Sequence, residues 1–115
     1  MLLIQTTTPT RDEAQRLARE LVELHLVACA QISMIESVYL WEGKLQQEPE
    51  CRLLLKTSDD KWPEVERFIR ERHSYEVPAI FAVPVTQASE AYANWVNDAT
   101  HDATNQAARD RTQPR

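Results

Sequence analysis

A single glycine, Gly43, serves a chain of 115 residues. The glycine-rich loops that cradle phosphates and dinucleotides are therefore excluded. Cysteine is nearly as scarce: Cys29 and Cys51 each sit inside an apolar, strand-like run, and no Cys-x-x-Cys occurs. This excludes a disulfide framework and favours a reducing, cytoplasmic compartment. No apolar run approaches the length of a membrane span, and Met1-Leu2-Leu3-Ile4 gives way at once to Gln5-Thr6-Thr7-Thr8-Pro9, too soon for a signal peptide. Positive charge is also short, with 13 Lys and Arg against 18 Asp and Glu, a net charge of −5 and a pI near 5.2. The basic residues are interleaved with acids, so neither a nucleic acid nor an anionic membrane is an expected partner. There is no serine elbow, no nucleophile beside a histidine and no His-Glu-x-x-His. A binding protein, not an enzyme, is the expectation.

What is present reads as alternating strands and helices. Leu2 to Gln5 is a short apolar strand ended by Thr7-Thr8-Pro9. Thr10-Arg11-Asp12-Glu13 then has the spacing of a capping box, in which Thr10 caps the helix and Glu13 reaches back to Thr10. The helix it opens carries Ala14, Leu17, Ala18, Leu21, Val22 and Leu24 on one face. From Val27 the period changes to two, with Ala28, Ala30, Ile32 and Met34 sharing a face. At Ile35-Glu36 the alternation slips, which predicts a bulge or a change of environment. Pro49 interrupts the return strand and marks a bulge or an unpaired edge. Ser58-Asp59-Asp60 supplies capping residues for a second helix with Pro63 in its first turn. An apolar strand follows over Val77–Val85, and Ser89-Glu90 opens a third helix bearing Tyr92, Trp95 and Val96. Residues 1–99 are expected to form the domain, and 100–115, without large apolar residues, a mobile tail that includes His101.

The order β-α-β-β-α-β plus a C-terminal helix predicts an α+β ferredoxin-like sandwich with both main helices on one face of the sheet. A strand from Ala28 to Trp41 would be roughly 45 Å long, more than twice the usual length. At its tip, a type I turn over Trp41-Glu42 followed by a left-handed Gly43 would restore pairing. About half of this hairpin has nothing of its own chain to pack on. Its exposed edges and the apolar Ile35, Tyr39, Leu40 and Trp41 call for another copy of the chain, so an obligate homo-oligomer built by the ribbons is expected.

The strings Ala28-Cys29-Ala30, Tyr39-Leu40-Trp41-Glu42-Gly43-Lys44, Leu55-Lys56-Thr57, His73-Ser74-Tyr75-Glu76-Val77-Pro78 and Tyr92-x-x-Trp95 resemble, in order, the CutA family of divalent-cation tolerance proteins. The resemblance runs from about Ile4 to Asn97. It implies a ferredoxin-like subunit, a stable homotrimer related in architecture to the PII signalling proteins, and a role in tolerance of divalent metals such as copper. It also implies a copper site, whose three ligand positions fall on Thr6, Arg72 and His73. A threonine hydroxyl is a poor donor to a soft metal and an arginine does not coordinate at neutral pH, so only His73 could serve.

Other candidates are weighed on their own chemistry. His73 either contributes to a metal site in a cleft between subunits or caps a helix end. Cys29 and Cys51 lie on paired strands and are expected to be small apolar residues of the core or an interface. Tyr39, Trp41, Lys56, Tyr75 and Glu76 gather aromatic and charged groups at strand ends. They could line an intersubunit cleft, with Lys56 as an anion contact, or simply pack and solvate locally. Trp41, Tyr39, Gly43 and Ile35 are assigned to the trimer interface. A sensor or scaffold of the PII type, taking a small anionic metabolite, is the competing reading. An RNA-binding module of the same topology is disfavoured, because the third strand reads Glu50-Cys51-Arg52-Leu53-Leu54-Leu55 and lacks stacking aromatics.

Overall fold

The computed structural model describes residues 1–101; the tail expected beyond them lies outside the described residues. Four antiparallel strands, β1 (Leu2–Thr8), β2 (Cys29–Trp41), β3 (Lys44–Thr57) and β4 (Ile80–Pro84), form one sheet in the order β2-β3-β1-β4. Helices α1 (Arg11–Glu23) and α2 (Trp62–Arg72) pack on one face, and α3 (Glu90–His101) closes one end. The expected ferredoxin-like βαββαβ order with an added helix is present. The core is built from Ile4, Leu53 and Leu55 of the sheet against Leu17 and Leu21 of α1 and Val65 and Ile69 of α2, all buried. Each fully buried side chain of this size contributes about 1.5–3 kcal/mol.

Strand β1 continues three residues past the expected Gln5, because Thr6, Thr7 and Thr8 find partners in Leu53, Arg52 and Cys51 of β3. Threonine suits a pleated, half-buried surface. Strand β4, expected over 77–85, is confined to Ile80–Pro84. Its pairing with β1 ends at Thr6↔Ile80, and Pro78 has no N–H to extend it.

Beyond Cys51, β3 has no partner but β2, so Lys44–Glu50 and the facing half of β2 project as a two-stranded ribbon. The molecule is accordingly elongated, 50 × 26 × 25 Å. The register runs unbroken from Cys29↔Lys56 to Trp41↔Lys44, which corrects the possible bulge at Ile35-Glu36. The alternation slips there because the ribbon leaves the body at Met34↔Cys51, and neither face then has a core to satisfy. Pro49, opposite Glu36, lies in the segment with an unpaired edge, where a missing N–H is tolerated.

The ribbon turn also differs from expectation. Trp41 pairs with Lys44, and the two residues between them, Glu42 (φ 52°) and Gly43 (φ 79°), are both left-handed. That is the pattern of a two-residue type I′ turn, whose twist matches the strands it joins, and not of a type I turn with a bulge.

Helix α3 includes Thr100 and His101, two residues past the expected domain boundary. Thr100 is buried, and its hydroxyl lies 2.7 Å from that of Ser58. Ser58 therefore makes no capping bond to the 3-10 turn Asp59–Lys61 that leads into α2. Asp59 instead holds the Met1 ammonium at 2.7 Å, and Asp60 faces His101 Nε2 at 2.8 Å. His101 Nδ1 faces the Asn97 carbonyl at 2.9 Å, so both ring nitrogens meet acceptors and the imidazolium is favoured. Its pKa is raised, by the Asp60 hydrogen bond first and the Asn97 carbonyl second, while His101 lowers that of Asp60.

A pH signature follows from these directions. A raised histidine stabilises fully below its unfolded value of 6.5 and loses the effect as pH rises through its folded value. A lowered aspartate stabilises fully above its unfolded 3.8 and loses the effect as pH falls through its folded value. The difference in Tm between the parent and His101→Ala should be largest between pH 3.8 and 6.5 and shrink on either side. A difference independent of pH would show that the pair does not hold α3.

Candidate functional site

The site is built where the ribbon leaves the sheet. On β3, Glu48 and Glu50 point to the face opposite the helices, and on β2 Ile35, Ser37, Tyr39 and Trp41 share that face by register. Glu48 is the diagonal neighbour of Tyr39, and the Tyr39 hydroxyl donates to Glu48 Oε1 at 2.6 Å. Glu50 is 6% exposed and accepts from the Tyr75 hydroxyl at 3.1 Å. Both phenols are held above their ordinary pKa. For Tyr75 burial is the first cause and the Glu50 hydrogen bond the second; for Tyr39 the Glu48 hydrogen bond leads. Both hydroxyls therefore keep their protons and act as donors.

Tyr75 and Glu76 arrive on the segment after α2, and a partly buried polar network fixes that segment. The Tyr75 backbone N–H donates to His73 Nδ1 at 2.9 Å, so the ring proton is on Nε2. From there it is donated to the Thr7 carbonyl at 2.6 Å. Glu13, 6% exposed, accepts from the Ser74 N–H at 3.0 Å and the Ser74 hydroxyl at 2.7 Å. The expected capping box is thus only half formed. Thr10 Oγ1 accepts from the Glu13 N–H at 3.2 Å, but the Glu13 carboxylate turns away to Ser74.

Between ribbon and loop lies a cleft of about 410 Å³, lined by Thr7, Tyr39, Trp41, Glu50, Tyr75, Glu76, Val77 and Ala79. Four of the sequence candidates, Tyr39, Trp41, Tyr75 and Glu76, are therefore brought together. Lys56 is not among them: its ammonium lies 5.6 Å from the Tyr92 ring centroid, at the α3 end of the sheet. The expected anion contact is absent from the lining. Glu50 was missed by sequence reasoning: the expected turn would pair Leu40 with Lys44, one residue out of the observed register, and turn Glu50 to the face opposite Tyr39.

The copper ligand positions fare differently. Both nitrogens of His73 are spent on the backbone and its side chain is fully buried. Arg72 stacks on Phe68 at 3.8 Å and lies 3.7 Å from Glu20. Thr6 is buried, and its hydroxyl has no hydrogen-bond partner among the described residues. Among those residues no three His, Cys, Asp or Glu side chains gather closely enough to hold a metal. The residues present do not fit the implied copper site. Cys29 and Cys51 are both free, and their register partners, Lys56 and Met34, keep them apart; the Cys51 thiol instead meets Met34 Sδ at 3.2 Å.

Residues 2–99 match the family described as CutA1 divalent ion tolerance protein. The chain belongs to the CutA family. It is 35% identical over 100 residues to the divalent-cation tolerance protein CutA of Pyrococcus horikoshii, covering 87% of this chain and 98% of that protein. The crystal structure of CutA1 from Ehrlichia chaffeensis is similar with a TM-score of 0.82 at 41% identity, over 86% of this chain and 94% of that one. A structure described as the PII-like protein CutA from Nostoc is similar with a TM-score of 0.83 at 32% identity, over 88% and 98% of the two chains. The CutA fold is thus shared across these relatives. No helix among the described residues is long and apolar enough to cross a membrane.

Proposed function

We propose that this CutA protein is a cytoplasmic homotrimer serving tolerance of divalent metal ions, copper among them, and that it binds a small ligand at clefts between subunits instead of catalysing a reaction. The observation that carries this reading is the ribbon. Val38, Leu40 and Leu45 on one face are 58–69% exposed, and Tyr39 and Trp41 on the other are 37% and 53% exposed. A soluble single chain rarely displays so much apolar surface beside unpaired strand edges, and neighbouring copies would cover both. The cleft under the ribbon then falls at a subunit boundary, with Trp41, Tyr39, Ile35 and Gly43 at the contact. Free cysteines suit a reducing compartment.

The metal link, on this reading, runs through the assembly and its ligand and not through His73. A PII-type role with an anionic metabolite is less well supported, since the cleft lining carries two carboxylates and, among the described residues, no basic side chain. Multi-angle light scattering at micromolar concentration tests the assembly. We expect three times the single-chain 13.3 kDa. A monomer's mass would refute it.

A further inference from the structure

The chemistry of the cleft restricts what it can take. Its lining includes Glu50 and Glu76 with Tyr39, Trp41 and Tyr75, and among the described residues no Lys, Arg or His. Glu48 stands just behind, bonded to the Tyr39 hydroxyl. An anion entering from this side would meet the like charge of Glu50 and Glu76, with no basic side chain beside them among the described residues of the lining. A bare divalent cation asks for several converging oxygens, and no group of three ligating side chains gathers among the described residues. An organic cation asks for less: a negative field, aromatic faces and a carboxylate with free acceptor capacity. Tyr75 uses one of about four acceptor positions of the Glu50 carboxylate. Both phenol hydroxyls donate to acids, which fixes the rings as walls and leaves the carboxylates as the recognising groups.

We propose that the cleft binds a small organic cation, an alkylammonium or guanidinium compound, held between the aromatic walls with Glu50 and Glu76 as its counter-charges. This rests on the reading of the cleft as the ligand site of the trimer. The two acids differ usefully: Glu50 is buried at the root of the ribbon, and Glu76 is exposed on the loop. One would desolvate and orient the cationic nitrogen, and the other would attract it on approach.

The full chain should be titrated by calorimetry with agmatine, which carries a guanidinium and an ammonium on one short alkyl chain. Succinate and Cu(II) serve as anionic and metal probes, and scattering mass is recorded on the same samples. Saturable binding of agmatine is expected, with no response to succinate. Glu50→Gln, which keeps an acceptor for Tyr75, and the surface variant Glu76→Gln should each weaken agmatine roughly tenfold, the effect of one lost charge-assisted hydrogen bond. Succinate binding, Cu(II) binding weakened by the same variants, or agmatine binding indifferent to both variants would overturn the cationic assignment and leave the cleft standing. Silence toward every probe in a trimeric sample would overturn the cleft itself. A monomeric mass would overturn the reading beneath it.

Discussion

Replacing Glu13 by Ala should cost about 2–4 kcal/mol of stability, the loss of two hydrogen bonds to a buried carboxylate, reduced because Ser74 is itself exposed. The effect should reach well beyond α1. Glu13 anchors Ser74, which sits between His73 and Tyr75, and those two fasten the loop to the Thr7 carbonyl and to Glu50. Releasing Ser74 therefore loosens the segment that carries Tyr75 and Glu76 into the cleft. Hydrogen exchange should show the Ser74 and Tyr75 amides losing protection, while the core strands exchange faster only in step with the fall in global stability. Glu13→Gln keeps the shape and one good acceptor but turns an NH₂ toward the second donor, so an intermediate loss is expected. If Glu13→Ala unfolded within about 0.5 kcal/mol of the parent, with Ser74 still protected, the anchoring role would be refuted.

The same residue shows where the sequence was legible and where it was not. Thr-x-x-Glu before an apolar helical stripe is a sound local signal, and Thr10 does cap α1. Local spacing could not reveal that Ser74, 61 residues away, offers Glu13 two donors in place of the one at Thr10. Where periodicity and partners lie in one segment, expectation and structure agree best. Ala14, Leu17, Ala18 and Leu21 of α1 are buried as the stripe predicts, whereas Val22 and Leu24, expected on the same face, are 39% and 57% exposed because α1 ends at Glu23. Boundaries failed where a neighbour decided them: β1 grew because β3 supplied partners, β4 shrank because β1 ran out, and α3 continued because Ser58 received Thr100. The cleft was half legible. Aromatic and acidic residues at strand ends flagged Tyr39, Trp41, Tyr75 and Glu76. Strand direction alone puts Lys56 at one end of β3 and Glu50 in its middle, and which stretch holds the cleft depends on where the loop after α2 returns.

Gly43→Val should dismantle the assembly before it touches the fold of the body. No atom stands within 4 Å of where a side chain would begin, so steric collision is not the reason. The reason is the backbone: Gly43 has φ 79° as the second central residue of the type I′ turn, and a β-branched residue is strained there by about 1–3 kcal/mol. To escape, the turn must reopen, and the register Trp41↔Lys44 and Leu40↔Leu45 frays from the tip. Trp41, Leu40 and Leu45 are among the residues whose apolar side chains neighbouring subunits are proposed to cover, and in a trimer the strain recurs in each copy. The parent should hold its oligomeric mass on dilution, Gly43→Val should dissociate at higher concentration and melt lower, and Gly43→Asn, which accepts the left-handed conformation, should behave nearly as the parent. The adjacent Glu42, left-handed at φ 52° without being glycine, supplies the converse: Glu42→Asn should raise the melting temperature through relief of the same strain. A Gly43→Val protein as massive and as heat-stable as the parent would remove the turn from any account of assembly.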